Sequence, residues 1–297
     1  MPKRDPRPRI WDYRTGVRVA VIAHSHDEVI DNVSEWVQWW VGQRRAKLTQ
    51  LRHETHAVNP FLWPITFGMH GFSSMEQMAE FQLAGHLVEG HATGFGKLVD
   101  EKILPNVFGT QKLDKAYREN TPPLIQSQFD NIDHLVPTAK GAVDLLSLKA
   151  GRWSIQLGQA VQLNRSLQVL LRERDRGGFQ FDRIVIGVFY GTEATLTDKY
   201  AIIRGLATRA VHDVVDISEH VDVLAGRSFW AWLNGGELAT QEWVLDGIFA
   251  GMEADKQANG DLADLYRAFI RDYEATYSPY MTSGDMNWRQ LLGDVNG

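Results

Sequence analysis

The sequence contains no cysteine. Disulfide cross-links and thiolate-bound metal are therefore excluded, and a reducing compartment suits the chain. No apolar run comes near the roughly 20 residues that cross a bilayer, so no membrane partner is expected. The basic start, MPKRDPRPRIWDYR, leads into no apolar stretch with a small-residue cleavage site, and the expected location is cytoplasmic. There is no GxGxxG element, which removes the dinucleotide fingerprint, and no GxSxG, which removes the serine-hydrolase elbow. His53-Glu54-Thr55-His56 places two histidines three apart, without the HExxH spacing or a third ligand, so zinc is not expected there. The net charge of −6 argues against a general nucleic-acid coat. A local basic surface can still hold phosphate while the acidic remainder lies elsewhere.

What is present is an ordinary globular composition, 44% hydrophobic and 23% charged over 297 residues, enough for a sizeable core in one domain. Val29, Val33, Trp36, Val37, Trp40 and Val41 recur at helical spacing, predicting a helix over 27–53. Asn59 before Pro60 stops it. Ser73 and Ser74 are N-cap residues for a second helix carrying Met75, Met78, Ala79, Leu83 and Leu87 on one face. The Gly-rich stretch 90–96 reads as a break before a third helix at 97–104, and 105–140 reads as irregular. Two strands follow, 142–148 and 152–157, joined by a tight turn at Lys149-Ala150-Gly151. A helix over 165–174 precedes apolar strands at 181–191 and 209–218. The end is helical, over 228–233, 240–254 and 261–277. The fold class is thus α/β, one domain over 1–297: a mainly helical part to 105, a mixed sheet core over 142–218, and C-terminal helices over 226–277.

The hairpin is the most informative unit. It carries Asp144 in one strand and Gln156 in the next, and a short turn can bring both to one end of the sheet. Phosphodiester hydrolysis with Mg²⁺ needs such a carboxylate with further oxygen donors, and the Leu157 carbonyl is one candidate. Taken alone, an acidic residue in a strand is more often structural.

Several segments in order carry a resemblance. These are Asn59-Pro60-Phe61-Leu62, then Thr93-Gly94-Phe95-Gly96 entering a helix with Asp100 and Glu101, then Val143-Asp144-Leu145 and Ile155-Gln156-Leu157. Ile186 to Gly191, Lys199-Tyr200, Gly205 and Phe229 to Gly235 follow. Over about residues 57–236 the chain resembles the PD-(D/E)XK nucleases, and within them the type II restriction endonucleases. The resemblance implies a restriction-endonuclease-like fold, Mg²⁺ dependence, double-stranded DNA as substrate and a homodimer on a palindromic site. It matches Asp144 to the metal-binding aspartate, Gln156 to the first position of the (D/E)XK element, and Asp100 or Glu101 to a helical acid. The family lysine would stand two residues after Gln156, where this sequence has Gly158; Lys97 or Lys149 could replace it. Arg172, Arg174 and Arg176 are candidates for phosphate contacts.

Two other readings stay open. The missing lysine at Gly158 suits a DNA-binding protein on the same scaffold with impaired catalysis. The acidic balance suits an unrelated metabolic α/β enzyme in which Asp144 is structural.

Overall fold

The computed structural model describes residues 11–12, 17–18, 23–50, 59–121, 124, 127–138, 142–151, 154–206, 213–260 and 262–296. The chain divides into two compact units, 1–37 with 96–251 and 38–95 with 252–297. In chain order, the antiparallel pair β1 (Trp11–Asp12) and β2 (Val17–Arg18) precedes α1 (His26–Thr49), α2 (Leu62–His70) and α3 (Met75–Leu98). A π-helical turn, Val99–Ile103, continues α3 into α4 (Leu104–Val107). Next come β3 (Gln111–Lys112), α5 (Lys115–Glu119), β4 (His134–Pro137), β5 (Val143–Lys149) and α6 (Leu157–Asp175). They are followed by β6 (Ile184–Val188), α7 (Asp198–Arg204), β7 (Val221–Ala225) and α8 (Arg227–Leu233). Then α9 (Thr240–Asn259), α10 (Ala263–Tyr277), β8 (Met281–Thr282), β9 (Asp285–Met286) and α11 (Trp288–Asn296) follow.

The first unit is built on a five-stranded sheet in the order β3-β4-β5-β6-β7. β3, β4 and β5 pair antiparallel, whereas β5, β6 and β7 run parallel. Parallel neighbours need a crossover; α6 supplies one between β5 and β6, and α7 lies between β6 and β7. On one face Val143, Leu145, Ile184, Ile186 and Val188 join Ala160, Leu163, Leu167 and Leu170 of α6 in one core. On the other face Gly187 lets α8 approach closely. A Cβ there would collide with Phe229 and stand 2.7 Å from Leu146. Asn164 is fully buried in α6, and its amide donates to the carbonyls of Ile203 and Val215 at 2.9 Å each. Both bonds tie the crossover helix to the chain that follows β6.

The second unit has its own, aromatic core. Asn59 accepts from the N–H groups of Phe61 and Leu62 at 3.1 and 3.0 Å and so starts α2. Ser74 Oγ accepts from Gln77 N–H at 3.3 Å at the start of α3, as the sequence predicts. Trp63 stacks on Tyr273 of α10 with ring centroids 5.7 Å apart, and Met75, Met78, Phe269 and Leu291 close the cluster.

The mixed α/β class agrees with the sequence reading, but four local expectations are corrected. The glycines at 90–96 lie inside α3; at Gly94 a Cβ would collide with the Arg44 guanidinium, so this glycine serves close helix approach. Residues 105–140 contain β3, α5 and β4. The hairpin of 142–148 with 152–157 does not form. Both edges of β5 are occupied by β4 and β6, and the chain beyond Gly151 enters α6. Of the strand expected over 209–218, residues 209–212 lie outside the described residues and 213–217 carry no regular element; the sheet strand is Val221–Ala225. Residues 51–58, including His53 to His56, also lie outside the described residues.

Gly187→Ala is expected to destabilise the chain by about 1–3 kcal/mol through overpacking. Gly158 lies in α6, where an added Cβ would meet nothing within 4 Å, and Gly158→Ala is expected to stabilise by about 0.5 kcal/mol. Urea unfolding midpoints at constant slope measure both, and a neutral Gly187→Ala would contradict the packing described.

Candidate active site

The antiparallel register His134↔Leu146 sets the residue before β4, Asp133, beside the far end of β5. Asp133 N–H donates to the Leu146 carbonyl at 2.8 Å, and Leu148 N–H donates to Asp133 Oδ2 at 2.6 Å. The side chain thus takes over where the ladder ends. Lys149, the last residue of β5, donates from Nζ to Ser147 Oγ at 3.0 Å. The Asp133 carboxylate, bound to Leu148 N–H, and the Lys149 ammonium, bound to the Ser147 hydroxyl, therefore lie near one another at the C-terminal end of β5, the end at which parallel α/β sheets build their sites. Burial pushes the Asp133 carboxyl above its ordinary range, against the opposing charge of Lys149 and the Leu148 N–H, while the negative Asp100 adds to the rise. Burial likewise pulls Lys149 below its ordinary value, against the charge of Asp133. Clustered groups held away from their preferred charge states are a mark of functional sites.

Asp100 supplies a second carboxylate from the π-helical turn, a feature that often marks functional positions. Its Oδ1 accepts from His134 Nε2 at 2.8 Å and its Oδ2 pairs with Lys112 of β3. Burial pushes Asp100 up, but the hydrogen bonds from His134 and Lys112 more than offset this and leave it below the usual carboxylate value.

Of the residues singled out from sequence, Asp100 and Lys149 are brought to this cluster. Asp144 is not. It lies five residues before Lys149, about 16 Å away along the strand, with only 1% of its side chain exposed. Its Oδ2 accepts from Arg183 Nε at 3.0 Å and from Trp232 Nε1 at 3.2 Å, and Arg183 also reaches Asp222 of β7 at 2.8 Å. An acid in a strand covered on both faces requires such partners, and these make Asp144 a structural residue. Gln156 is the N-cap of α6, in a reciprocal capping box with Gln159. Leu157 is the first helical residue, so its carbonyl points into the helix ladder. Lys97 and Glu101 are both exposed, one turn apart. Arg172, Arg174 and Arg176 lie at the far end of α6, roughly 25 Å from Gln156, where Arg174 pairs with Asp175 at 3.0 Å and Arg176 with Glu173 at 3.2 Å.

Asp133, Ser147, His134 and Lys112 were not singled out by sequence reasoning. The signal for Asp133 and Ser147 is the lysine spacing: Ser147-Leu148-Lys149 places a lysine two residues after a polar strand residue, and an aspartate lies upstream; no local signal marks His134 or Lys112. Among the described residues no group of three or more His, Asp or Glu side chains is arranged to hold a metal ion, and no helix is long and apolar enough to cross a membrane. No protein-family model and no curated protein matches the sequence.

Asp133 and Asp144 are expected to respond differently to substitution. Asp144→Ala leaves Trp232 Nε1 unpaired and removes one carboxylate from Arg183, costing about 1–3 kcal/mol; this is below the figure for a sealed ion pair because Arg183 is 42% exposed. Asp133→Asn keeps an oxygen for Leu148 N–H and costs less. Because the folded state raises the Asp133 pKa, its favourable contribution belongs to pH below the ordinary carboxylate range and is lost as pH rises through the raised value. The Asn variant should therefore gain stability relative to the wild type between about pH 4 and about pH 7. Denaturant unfolding at both pH values checks this, and a variant that loses ground over that interval would contradict the direction.

Proposed function

We propose that this chain is a Mg²⁺-dependent endonuclease of double-stranded DNA with a restriction-endonuclease-like fold, its site centred on Asp133 and Lys149. The observation that carries the reading is the β4–β5 hairpin, which joins an aspartate to a residue-x-lysine element across one antiparallel pair. Asp133 followed by Ser147-Leu148-Lys149 resembles the PD-(D/E)XK order, with serine at the acidic position. In this pairing Lys149, not position 158, supplies the family lysine.

The donor set suits the metal. Mg²⁺ is a hard cation that keeps several waters and binds through one or two carboxylates; Asp133 offers one partly buried carboxylate, and Asp100, whose oxygens are engaged by His134 and Lys112, is a second candidate. These two side chains would hold the ion. When bound, it supplies Lewis-acid stabilisation of the charge that builds up on the phosphate. Lys149 does the rest from this chain: Ser147 Oγ fixes its Nζ, where it orients the attacking water and offsets charge on the phosphate. Burial lowers its proton affinity, against the charge of Asp133. Duplex DNA as substrate and a homodimer on a palindromic site follow from the family resemblance.

Serine at 147 favours one other reading, a DNA-binding protein in which catalysis is impaired, because a fully buried hydroxyl supplies no charge. Purified protein with Mg²⁺ is expected to cut unmethylated plasmid or phage DNA into discrete bands. Asp133→Asn and Lys149→Ala should each lower the rate by about 10²–10⁴-fold, and Asp144→Asn should lower it only as far as folded protein is lost. Salt-sensitive, sequence-preferring binding without cutting would select the impaired protein. Neither binding nor cutting would overturn the nuclease reading.

A further inference from the structure

Two successive arginines near the end of α1 meet different surroundings within the second unit. Arg45 donates from Nε and Nη2 to the buried Asp255 carboxylate at 2.9 and 2.6 Å. Arg44 is half-buried, yet among the described residues no carboxylate pairs with it and no acceptor takes a hydrogen bond from it. Its guanidinium lies over the Trp40 ring, 5.4 Å from the centroid. It also rests on α3 where that helix lacks side chains. An added Cβ would stand 3.5 Å from Arg44 at Gly90 and would collide with it at Gly94. These glycines are one turn apart and form a flat seat on one face of α3. Glycine inside a helix weakens it; here it admits a cation.

His91, the residue after Gly90, meets the same Trp40 ring edge-on with centroids 5.9 Å apart. Burial and the Arg44 charge hold its proton affinity below the ordinary histidine value, and His86, one turn before Gly90, adds to this. The indole N–H of Trp40 is buried without an acceptor among the described residues. Donors are gathered here, and no anion answers Arg44.

We propose that Arg44, seated on Gly90 and Gly94 and stacked on Trp40, binds a phosphate group, with His91 on the same ring as a second donor. A guanidinium presents a planar fork that fits two phosphate oxygens. The seat and the ring hold that fork in place before the ligand arrives, which spares the entropy of ordering a long side chain. The site belongs wholly to the second unit, and the inference does not rest on the nuclease reading. Free phosphate and the phosphodiester of duplex DNA offer the same oxygens.

The test uses the full-length chain with two probes, inorganic phosphate by titration calorimetry and a short fluorescein-labelled DNA duplex by anisotropy, both without Mg²⁺. Arg44→Met keeps a stem on Trp40 and removes the charge. It is expected to weaken binding by about tenfold or more, and with the duplex to reduce the salt slope by about one. Loss of phosphate binding assigns the site to a small anion, and a loss confined to the duplex assigns it to a DNA backbone; either supports the proposal. Arg289→Met, which removes an exposed charge from α11 of the same unit, is expected to change binding by less than about twofold. An equal loss there would reduce Arg44 to general charge and overturn the proposal. Binding left unchanged by Arg44→Met overturns it too, and leaves the nuclease reading to its own cleavage test. A wild type that binds neither probe also overturns it. If Arg44→Met does not fold, Gly94→Ala decides: it pushes the guanidinium off its seat with every charge kept, so weaker binding supports the proposal and unchanged binding overturns it.

Discussion

The register of β4 against β5 is the constraint on which the site depends. Antiparallel pairing places residues opposite one another, and a slip of one position would turn every side chain of β4 to the other face. Burial forbids the slip: Leu135 and Leu145 are fully buried in the core shared with α6, while Leu146 is buried on the opposite face. Once the register is set, Asp133 falls beside Ser147 and Lys149 without further choice, and Leu148 N–H finds the Asp133 carboxylate instead of a backbone carbonyl. The proposed site is thus positioned by hydrophobic burial of its neighbours along the same two strands.

The same strand pair shows how environment assigns different roles to like residues. Asp144 and Asp133 both meet a cation and an N–H donor. Asp144 is enclosed with Arg183, which stays charged under all ordinary conditions, and a second carboxylate from Asp222 completes a bridge across three parallel strands. Asp133 lies near Lys149, a group whose proton affinity yields to burial; burial raises both Asp133 and Asp144, but Asp144 is held by a guanidinium that keeps its charge, whereas the Lys149 ammonium is itself lowered. The first arrangement locks strands together. The second leaves an acid and an amine with one hydrogen-bond partner each among the described residues, Leu148 N–H and Ser147 Oγ, at the C-terminal end of β5.

Sequence patterns located most helices because their signal is local. The apolar stripes behind α9 and α10 repeat within the element itself, and the observed spans, Thr240–Asn259 and Ala263–Tyr277, differ from expectation mainly at their ends. The proposed centre of the site lies away from the one expected from sequence because strand partners are not local. Val143 to Lys149 reads as a strand from its own residues, but nothing in them says whether its partner precedes or follows. His134–Pro137 is four residues long, ends in proline and sits in a proline-bearing stretch, so its periodicity is too short to detect. Ala150 and Gly151 look like a hairpin turn, and a turn there pairs β5 with the wrong segment. With the pairing shifted, the lysine requirement fell on Gly158 and the aspartate on Asp144. Asp100 was legible because it depended only on being an acid on the preceding helix.

The most direct measurement is the position of a divalent ion in the crystal. Crystals of the wild-type chain soaked in Mn²⁺ and measured at an anomalous wavelength are predicted to show a peak bonded to Asp133 and Asp100, near Lys149. A peak at Asp144, or anywhere that leaves Asp133 without a ligand bond, would contradict the account.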